Sequence, residues 1–418
     1  MLIRVLINSL TLLALISGQN ACAQVTSSPN GKLMIVGGGL RASNQEIYQS
    51  FIAHAKEGKF GIIPAASGKP SQAAKTFADT LARYGVDRDR IQIIPIAIRD
   101  DSTTNDIDES KWNKNAWESE LAEQVASCSA IWFTGGDQSR IMQALTDKAG
   151  SASPALTAVR TIYQDGGIIG GTSAGAAIQS ETMILGGTSQ QAFDHGTLTE
   201  YPGMESQENG PLVLGDGLGF FPHGIIDQHF DRKARLGRLI VALLDNPSKQ
   251  KVGYGIDEDT ALLFDASNQT GLVLGSGTVV KIDTQNAARS EEELGNVRIS
   301  VLGPGDRIAF TNDAISINSG KKKIGSEYLE LQQTHVSSLF SPYSGRLEEV
   351  LGFLLLDNSS TKELETRIPM ETGGERTITF QQDEDTSGYW GYLDGQLDSY
   401  SVLNVALSIS PPPNVEKK

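Results

Sequence analysis

One stretch constrains the fold of this 418-residue chain more than any other: Gly167 to Ser180, which reads GIIGGTSAGAAIQS. Ile168 and Ile169 end a short apolar run, which is typical of a buried strand, and the composition after Gly175 favours a helix. The segment between them fits the pattern G-x-S-x-G, which places a serine on a sharp turn from strand to helix. The pattern predicts that Ser173 is a nucleophile. The alternative is a glycine-rich turn with an incidental serine.

The geometry of such a turn explains why its serine would be reactive. A sharp turn pushes the side chain out of the sheet, and small neighbours let the backbone pass close to it. A helix that begins directly behind the serine favours developing negative charge at its N-terminus. We therefore expect the backbone N–H of Ala174 to point to the place where an oxyanion would form.

Composition and charge limit the class of protein. The net charge of −15 at pH 7 argues against non-specific binding of nucleic acid. Hydrophobic residues make up 39% of the chain and it has 44 glycines, so we expect a folded, turn-rich protein and not a disordered one. The sequence has neither H-E-x-x-H nor paired cysteines at zinc-binding spacing, so we expect no metal, and we expect no cofactor.

Residues 1–23 have the pattern of a secretory signal peptide. Arg4 supplies a positive n-region, Leu6 to Ile16 form a short apolar core, and Ala21-Cys22-Ala23 fits the small-x-small rule for cleavage. The mature protein is therefore expected to start near Gln24 and to be secreted.

The cysteines bear on both the N-terminus and the stability of the chain. Cys22 suits a lipoprotein as an alternative, but the preceding Gln19-Asn20-Ala21 fits a lipobox poorly. After cleavage only Cys128 remains, so a packed core and not a disulfide must stabilise the protein. No later stretch is long and apolar enough to be expected to span a membrane.

Strand-like and helix-like segments alternate from residue 33 onward. This alternation predicts an α/β fold with a doubly wound, mostly parallel sheet that helices cover on both faces. In such sheets, ligands gather at the carboxyl ends of the strands. The segments predicted before Ser173 are strands at 33–36, 60–63, 91–98 and 130–133, and helices at 45–55, 70–85, 116–126, 138–147 and 154–164.

Three glycines, Gly37-Gly38-Gly39, follow the first predicted strand. Gly37, Gly39 and Ala42 fit the dinucleotide fingerprint G-x-G-x-x-A, but no acidic residue follows the second strand to hold a ribose. We therefore favour a tight turn without a nucleotide.

The stretch Thr134 to Gln138, TGGDQ, ends another predicted strand. Its glycines, through the N–H near Gly136, are expected to supply a second oxyanion donor beside Ser173, and Gln138 to orient a substrate. The alternative is a simple entry into a helix, with Asp137 as the N-cap residue.

A serine nucleophile needs an imidazole base within hydrogen-bonding reach. Of the five histidines, His229 ends an apolar predicted strand at the correct edge, within Asp227-Gln228-His229. The alternative is a capping or core histidine. Arg235 and Arg238 follow three residues apart on one helix face, where arginines either bind carboxylates or simply face solvent.

An acid must orient the base, and the triplet Asp257-Glu258-Asp259 follows the next predicted strand. Glu258 is our first choice and Asp257 our second. The alternative is a charged turn.

Four stretches, taken together, point to a known family. They are FTGGDQ, GGTSAGAA, DQHF with a basic helix ending in RLGRL, and GIDEDTAL, in this order. The set covers roughly residues 30–318 and resembles the cyanophycinases of peptidase family S51, in which the order is also serine, histidine, acid.

The resemblance implies a class I glutaminase-like fold and a serine-type hydrolase. Its substrate would be cyanophycin, a polyaspartate with an arginine on each side-chain carboxyl, and its products β-Asp-Arg dipeptides. Ser173 would be the nucleophile, His229 the base and Glu258 the orienting acid. The substrate contacts implied are Gln138, Asp227, Gln228, Arg235 and Arg238.

One departure and two alternatives accompany this resemblance. The family usually has an arginine where this chain has Lys233, which leaves that contact open. A homodimer is also implied. The alternative functions are an aspartyl dipeptidase of the same family and a non-catalytic secreted binding protein.

The rest of the chain is less informative. Residues 184–217 are predicted as a polar, insertion-rich loop, and segments at 297–302, 307–310 and 315–317 are predicted to close a catalytic domain of residues 24–318. Residues 319–418 resemble nothing known and are predicted to be a small β-rich appendage, whose short strands include 351–356, 376–380 and 402–407. It would either pack on the core or bind polymer.

Overall fold

The computed structural model describes residues 29–411, apart from 56, 199, 201–202, 204–207, 291–292, 326–327, 333–334, 337–338, 341–345, 372, 394 and 396. The predicted signal peptide, residues 1–23, therefore lies outside the described residues. Within the described ranges, no helix combines the length and the apolar character needed to cross a bilayer.

The strands fall into two large sheets and one small one. In chain order they are β1 (Lys32–Val36), β2 (Lys59–Ile63), β3 (Ile91–Ile93), β4 (Cys128–Phe133), β5 (Ile168–Thr172), β6 (Thr182–Gly186), β7 (Thr197–Leu198), β8 (Leu212–Asp216), β9 (Ile225–Gln228), β10 (Val252–Ile256), β11 (Thr260–Asp265), β12 (Thr270–Gly275), β13 (Val279–Asp283), β14 (Ala288–Arg289), β15 (Leu294–Leu302), β16 (Arg307–Ala309), β17 (Ala314–Ser316), β18 (Lys322–Lys323), β19 (Glu363–Pro369), β20 (Glu375–Gln381), β21 (Ser387–Leu393) and β22 (Leu397–Ser410).

The helices cluster in the first two thirds of the chain. The α-helices are α1 (Gln45–His54), α2 (Pro70–Arg83), α3 (Ser119–Ala126), α4 (Gln138–Leu145), α5 (Pro154–Gln164), α6 (Ala174–Ala177), α7 (Ser189–His195) and α8 (Leu236–Asp245). Short 3₁₀ helices cover Arg88–Arg90 and Glu109–Trp117, and a π-helix covers Glu348–Leu356.

The first sheet has the described strand order β17-β16-β12-β11-β1-β5-β4-β2-β3. The five neighbouring strands β1, β5, β4, β2 and β3 are parallel, and β11, β12, β16 and β17 extend the sheet antiparallel from β1. Apolar residues of α1 and α2 cover one face, and those of α3, α4 and α5 cover the other. The α/β class and the doubly wound parallel sheet are therefore confirmed.

Side-chain caps place several of these helices at the ends of strands. Asn44 accepts a hydrogen bond from the Ile47 N–H at the start of α1, and Asp137 accepts one from the Ser139 N–H at the start of α4. The Asp137 carboxylate therefore makes the helix entry that was the alternative for the TGGDQ stretch.

The second sheet draws on both halves of the chain. Its described order is β18-β21-β22-β15-β13-β10-β9, with β14 beside β15 and the β19–β20 hairpin beside β22. Among its described strands, only β9 and β10 run parallel. Side chains of α8, the π-helix and the inner faces of β15 and β22 share one apolar core.

Several predicted segments differ from the structure. The β-rich C-terminal region is present. Its strand β22 pairs with β15, so the region extends the second sheet and is not a separate appendage. The apolar segment 351–356, predicted as a strand, lies in the π-helix. The segment 184–217, predicted as a loop, contains the small sheet β6-β8-β7 and α7.

The connection between the two large sheets positions the site. β10 belongs to the second sheet and β11 to the first, and residues 257–259 join them. The carboxyl ends of β1, β5 and β9 meet at this junction: the Ser173 N–H donates to Val36 O (3.0 Å), and the His229 N–H donates to Gly37 O (2.5 Å).

Candidate active site

Ser173 lies between β5 and α6 in a strained conformation, with φ 55° and ψ −111°. Left-handed φ is uncommon for a residue with a Cβ atom, and it persists only where the surroundings enforce it. Two glycines let the surroundings of Ser173 pack this closely. A Cβ on Gly171 would overlap the backbone of Gly175, and a Cβ on Gly175 would overlap the backbone of Phe133. Strand, turn and helix therefore pack closely enough to hold the Ser173 side chain out of the sheet.

The predicted helix behind Ser173 is present but short. α6 covers only Ala174–Ala177, so a macrodipole contributes little here. The amide of Ala174 is nevertheless the first of the helix and has no acceptor within it. The oxyanion donor predicted at Ala174 would therefore act through one local N–H and not through a long helix.

The TGGDQ turn approaches the nucleophile through Gly135. A Cβ on Gly135 would lie 3.3 Å from Ser173 Cβ, whereas a Cβ on Gly136 would overlap Ala66 O. Gly136 has φ 140°, which an L side chain rarely adopts. The turn therefore needs both glycines, one to pass Ser173 and one to pass the Ala66 carbonyl.

The structure brings Ser173, His229 and Glu258 into one hydrogen-bonded line. His229 Nε2 lies 2.8 Å from Ser173 Oγ, and His229 Nδ1 lies 2.6 Å from Glu258 Oε1. A carboxylate at Nδ1 places the ring proton there and leaves the Nε2 lone pair for the serine hydroxyl. Asp257, the second choice for the acid, points elsewhere: its Oδ2 accepts from the N–H and the hydroxyl of Thr278.

The surroundings of His229 keep its imidazole neutral. Burial, and then the nearby positive charges of Arg235 and Lys233, lower the pKa of His229 well below its ordinary value. The Glu258 carboxylate opposes this because it stabilises the protonated ring. A neutral imidazole that can be stabilised once it becomes charged is what a general base requires.

The triple glycine after β1 has a role that the sequence did not reveal. A Cβ on Gly38 would overlap the His229 ring, and a Cβ on Gly39 would lie 2.7 Å from Glu258 Oε2. Gly38 O also accepts from the Asp259 N–H (2.8 Å). The predicted tight turn is present, and it gives the base and the acid room beside the backbone. The GGG run itself was the only available signal.

Arg235 and Arg238 are buried in the protein and do not lie in an open cleft. Arg238 is 1% exposed: its Nε donates to Asp227 Oδ2 (2.8 Å), one terminal nitrogen to Asp227 Oδ1 (2.5 Å) and the other to Gly187 O (2.7 Å). Arg235 is equally buried, donates to Gln228 O and lies 3.6 Å from Asp227 Oδ1. This differs from the prediction that Asp227, Arg235 and Arg238 face the substrate.

A buried cation requires a nearby anion, and this explains the difference. Asp227 supplies it for both arginines, and the network holds the end of β9, which carries His229.

The remaining predicted contacts are also engaged within the protein. Gln138 is buried and its Nε2 donates to Ile184 O and Leu185 O (2.7 and 2.9 Å). Gln228 Oε1 lies 3.5 Å from Ser173 Oγ. The Lys233 ammonium pairs with Glu208 (2.5 Å) and remains partly exposed. Of the predicted set, Gln228 is the residue that contacts the nucleophile.

A cavity of about 730 Å³ opens beside Ser173, and Asp227, Arg235 and Arg238 are not among its described lining residues. Its floor consists of Tyr48, Phe77 and Trp132, with Trp132 stacked on Phe77 (4.2 Å between ring centroids). Lys69 lies in its wall, and the described lining residues include no carboxylate. Sequence reasoning missed these residues because the aromatic ones follow the pattern of an ordinary core.

The chain is similar to several known proteins. The profile of Peptidase family S51 matches residues 33–271. A cyanophycinase of Geminocystis herdmanii is 31% identical over 66% of this chain and 92% of its own, and one of Synechococcus elongatus is 32% identical over 67% of this chain and 79% of its own. The crystal structure of a peptidase from an acI-B1 actinobacterium aligns over 68% of this chain and 98% of its own, with a TM-score of 0.45 and 20% identity.

The matched segment includes the turn that carries Ser173, the end of β9 and the loop between β10 and β11, which are the parts that bring serine, histidine and glutamate together. The match spans more than half of the chain. On these grounds this protein is a member of peptidase family S51.

Proposed function

We propose that this protein hydrolyses cyanophycin and releases β-Asp-Arg dipeptides through an acyl-enzyme on Ser173. The observation that carries the proposal is the line from Glu258 through His229 to Ser173, in a chain 31% and 32% identical to two cyanophycinases.

The residues suggest each step. His229 Nε2 accepts the Ser173 proton as Oγ attacks a backbone carbonyl of the polymer, and the N–H groups near Ala174 and Gly136 stabilise the oxyanion. His229 then donates the proton to the leaving amine, the amide bond breaks and an ester remains on Ser173. Water, deprotonated by His229, cleaves the ester and restores the serine.

The cavity beside Ser173 supports a substrate of this chemistry. Each unit of cyanophycin carries an aliphatic stem, a guanidinium and a free carboxylate. The apolar floor suits the stem, and the ammonium of Lys69 suits the carboxylate. Arg235 and Arg238 serve in this proposal to position β9, because their charges are already paired.

Digestion of the polymer tests the proposal directly. The mature protein, residues 24–418, is incubated with insoluble cyanophycin, with casein and with short peptides that begin with Asp, and the products are identified by mass spectrometry. We expect β-Asp-Arg dipeptides from cyanophycin and no cleavage of casein. Cleavage of the short peptides alone would indicate a dipeptidase, and no cleavage of any of the three would indicate a binding protein.

We also propose that the enzyme acts outside the cell that makes it. The pattern of residues 1–23 supports this. N-terminal sequencing of the exported protein should give Gln24 as the first residue, whereas a lipid-modified Cys22 would contradict cleavage after Ala23. The homodimer remains a proposal from the family resemblance, and light scattering after gel filtration would test it.

A further inference from the structure

The C-terminal region has an aromatic and acidic cleft of about 590 Å³ that the proposed mechanism does not use. Tyr328 and Tyr392 line it, and these are the two most exposed large hydrophobic side chains among the described residues, at 72% and 59%. Exposed apolar groups of this size that occur together mark a binding surface more often than chance exposure does.

The rings in the cleft are arranged in pairs. Trp390 and Tyr392 lie with ring centroids 5.1 Å apart, and Tyr328 and Phe353 with centroids 5.9 Å apart. Each pair braces one exposed tyrosine. The exposed rings are therefore fixed without a bound partner, which lowers the entropic cost of binding one.

The charges in the cleft select a cation. The carboxylates of Glu348, Glu349 and Asp398 line it against one guanidinium, that of Arg346, which lies 3.7 Å from Glu348. Glu349 and Asp398 are exposed, and Asp398 accepts from the Trp390 indole N–H. Planar guanidinium groups bind well to aromatic faces and to carboxylates at once.

A second cavity adjoins this cleft at Tyr392. It has a volume of about 750 Å³, shares Tyr392 with the cleft and reaches Gln45 and Glu46 at the start of α1. Glu46 accepts a hydrogen bond from the Gly275 N–H, and the adjacent Ser276 donates to Asp259, the residue after Glu258. The second cavity therefore reaches Gly275, next to a residue that is hydrogen-bonded to the loop of the proposed acid.

We propose that the cleft of Tyr328, Tyr392, Glu349 and Asp398 binds arginine side chains of the polymer at a distance from Ser173. It thereby holds the enzyme on its insoluble substrate. The identity of the polymer rests on the proposed function, whereas the preference for a guanidinium-bearing chain rests on the cleft itself. The cleft lies outside the segment matched by the family profile.

Adsorption, separated from cleavage, tests this proposal. The mature Ser173→Ala protein is mixed with cyanophycin granules, and the bound fraction is measured by sedimentation. Adding Tyr328→Ala and Tyr392→Ala should weaken adsorption roughly tenfold, because two exposed cation–π contacts are lost. Glu349→Gln with Asp398→Asn should also weaken it. The matched controls are Trp117→Ala, an exposed aromatic residue elsewhere, and Glu120→Gln, an exposed carboxylate on α3.

Each result bears on one proposal or the other. Equal adsorption of the tyrosine variant and its parent, or no adsorption of the parent, would overturn the cleft proposal, even if the wild-type enzyme digests the granules. Tyrosine-dependent adsorption without digestion by the wild type would uphold the cleft and contradict the proposed hydrolysis. Soluble polyarginine should compete with the granules, and equally strong competition by polylysine would overturn guanidinium recognition.

Discussion

The two large sheets each supply part of the triad arrangement, but they hold their parts by different forces. In the first sheet, the position of Ser173 is set by steric packing, in which Gly171 and Gly175 let backbones touch. In the second, His229 follows a strand fixed by buried charge, through Asp227, Arg235 and Arg238. The difference teaches that one site can combine a nucleophile positioned by close packing with a base positioned by buried charge.

The largest expected effect is the loss of activity when Ser173 or His229, which meet between the two sheets, is replaced. Ser173→Ala and His229→Ala should each lower kcat/KM by about 10⁴-fold or more, and the double variant should be no worse than either single one. The reason is that the two side chains act as one unit. Ser119→Ala, an exposed serine on α3, is the control. Additive losses in steady-state assays would show that the sheets contribute independently.

Deleting residues 319–418 breaks the second sheet while leaving the strands of the first intact. The truncation removes β22 from the side of β15 and exposes the buried Val297, Ile299 and Val301. We expect an insoluble or molten product, because this apolar face and its strand edge lose their cover. A soluble fragment with cooperative unfolding by circular dichroism would instead support the predicted separate domain of residues 24–318.

The first sheet was largely predictable and the second was not, for a physical reason. Parallel strands joined by helices repeat within about 30 residues, so local periodicity reveals them. The pairing of β22 with β15 joins residues about a hundred positions apart, and neither segment encodes its partner. The apolar run 351–356 has no period that separates a strand from a buried helix. The strand predicted at 91–98 ends at Ile93 because Pro95 cannot donate to a ladder.

The site was predictable to a similar degree. Ser173, His229 and Glu258 follow from residue type and position at strand ends. Whether Arg238 faces a substrate or a buried Asp227 depends on depth below the surface, which the sequence does not specify.

Breaking the charge network should cost more stability than any other single change in the second sheet. Arg238→Met removes the hydrogen bonds that Nε and one terminal nitrogen of Arg238 donate to the buried Asp227 carboxylate and leaves it with Arg235 at 3.6 Å, so we expect a loss of about 3 kcal/mol in the free energy of unfolding. The double variant Asp227→Asn with Arg238→Met should lose at least as much, because the nearest described anion of the buried Arg235 is then Glu208, at 3.7 Å. Urea denaturation measures the stability of both variants. Equal stability of Arg238→Met and wild type would show that buried charge does not hold the strand before His229.

Adding one methyl group at Gly171 tests whether close packing fixes the position of Ser173. Gly171→Ala forces a Cβ against the backbone of Gly175, so we expect a loss of about 1–3 kcal/mol in unfolding free energy and a displaced Ser173. Gly295→Ala is the matched control, because an added Cβ there has no described atom within 4 Å. If both substitutions have the same effect on stability and activity, close packing does not fix the nucleophile.

The smallest expected effect is a change in the pH dependence of kcat/KM, which should respond to the charges near His229 and not to the packing around Ser173. The positive charge of Lys233 lowers the pKa of His229, so Lys233→Gln should raise that pKa and move the acidic limb of kcat/KM to higher pH. An interaction of about 0.2–1 kcal/mol for a partly exposed charge corresponds to roughly 0.2–0.7 of a pH unit. The Glu208 partner, which offsets some of the charge, favours the lower end of that range. Lys233→Arg keeps the charge and should leave the limb in place, and added salt should shrink the shift in Lys233→Gln. An unmoved limb in Lys233→Gln, or an equal shift in Gly171→Ala, would show that the base is not tuned by the charges around it.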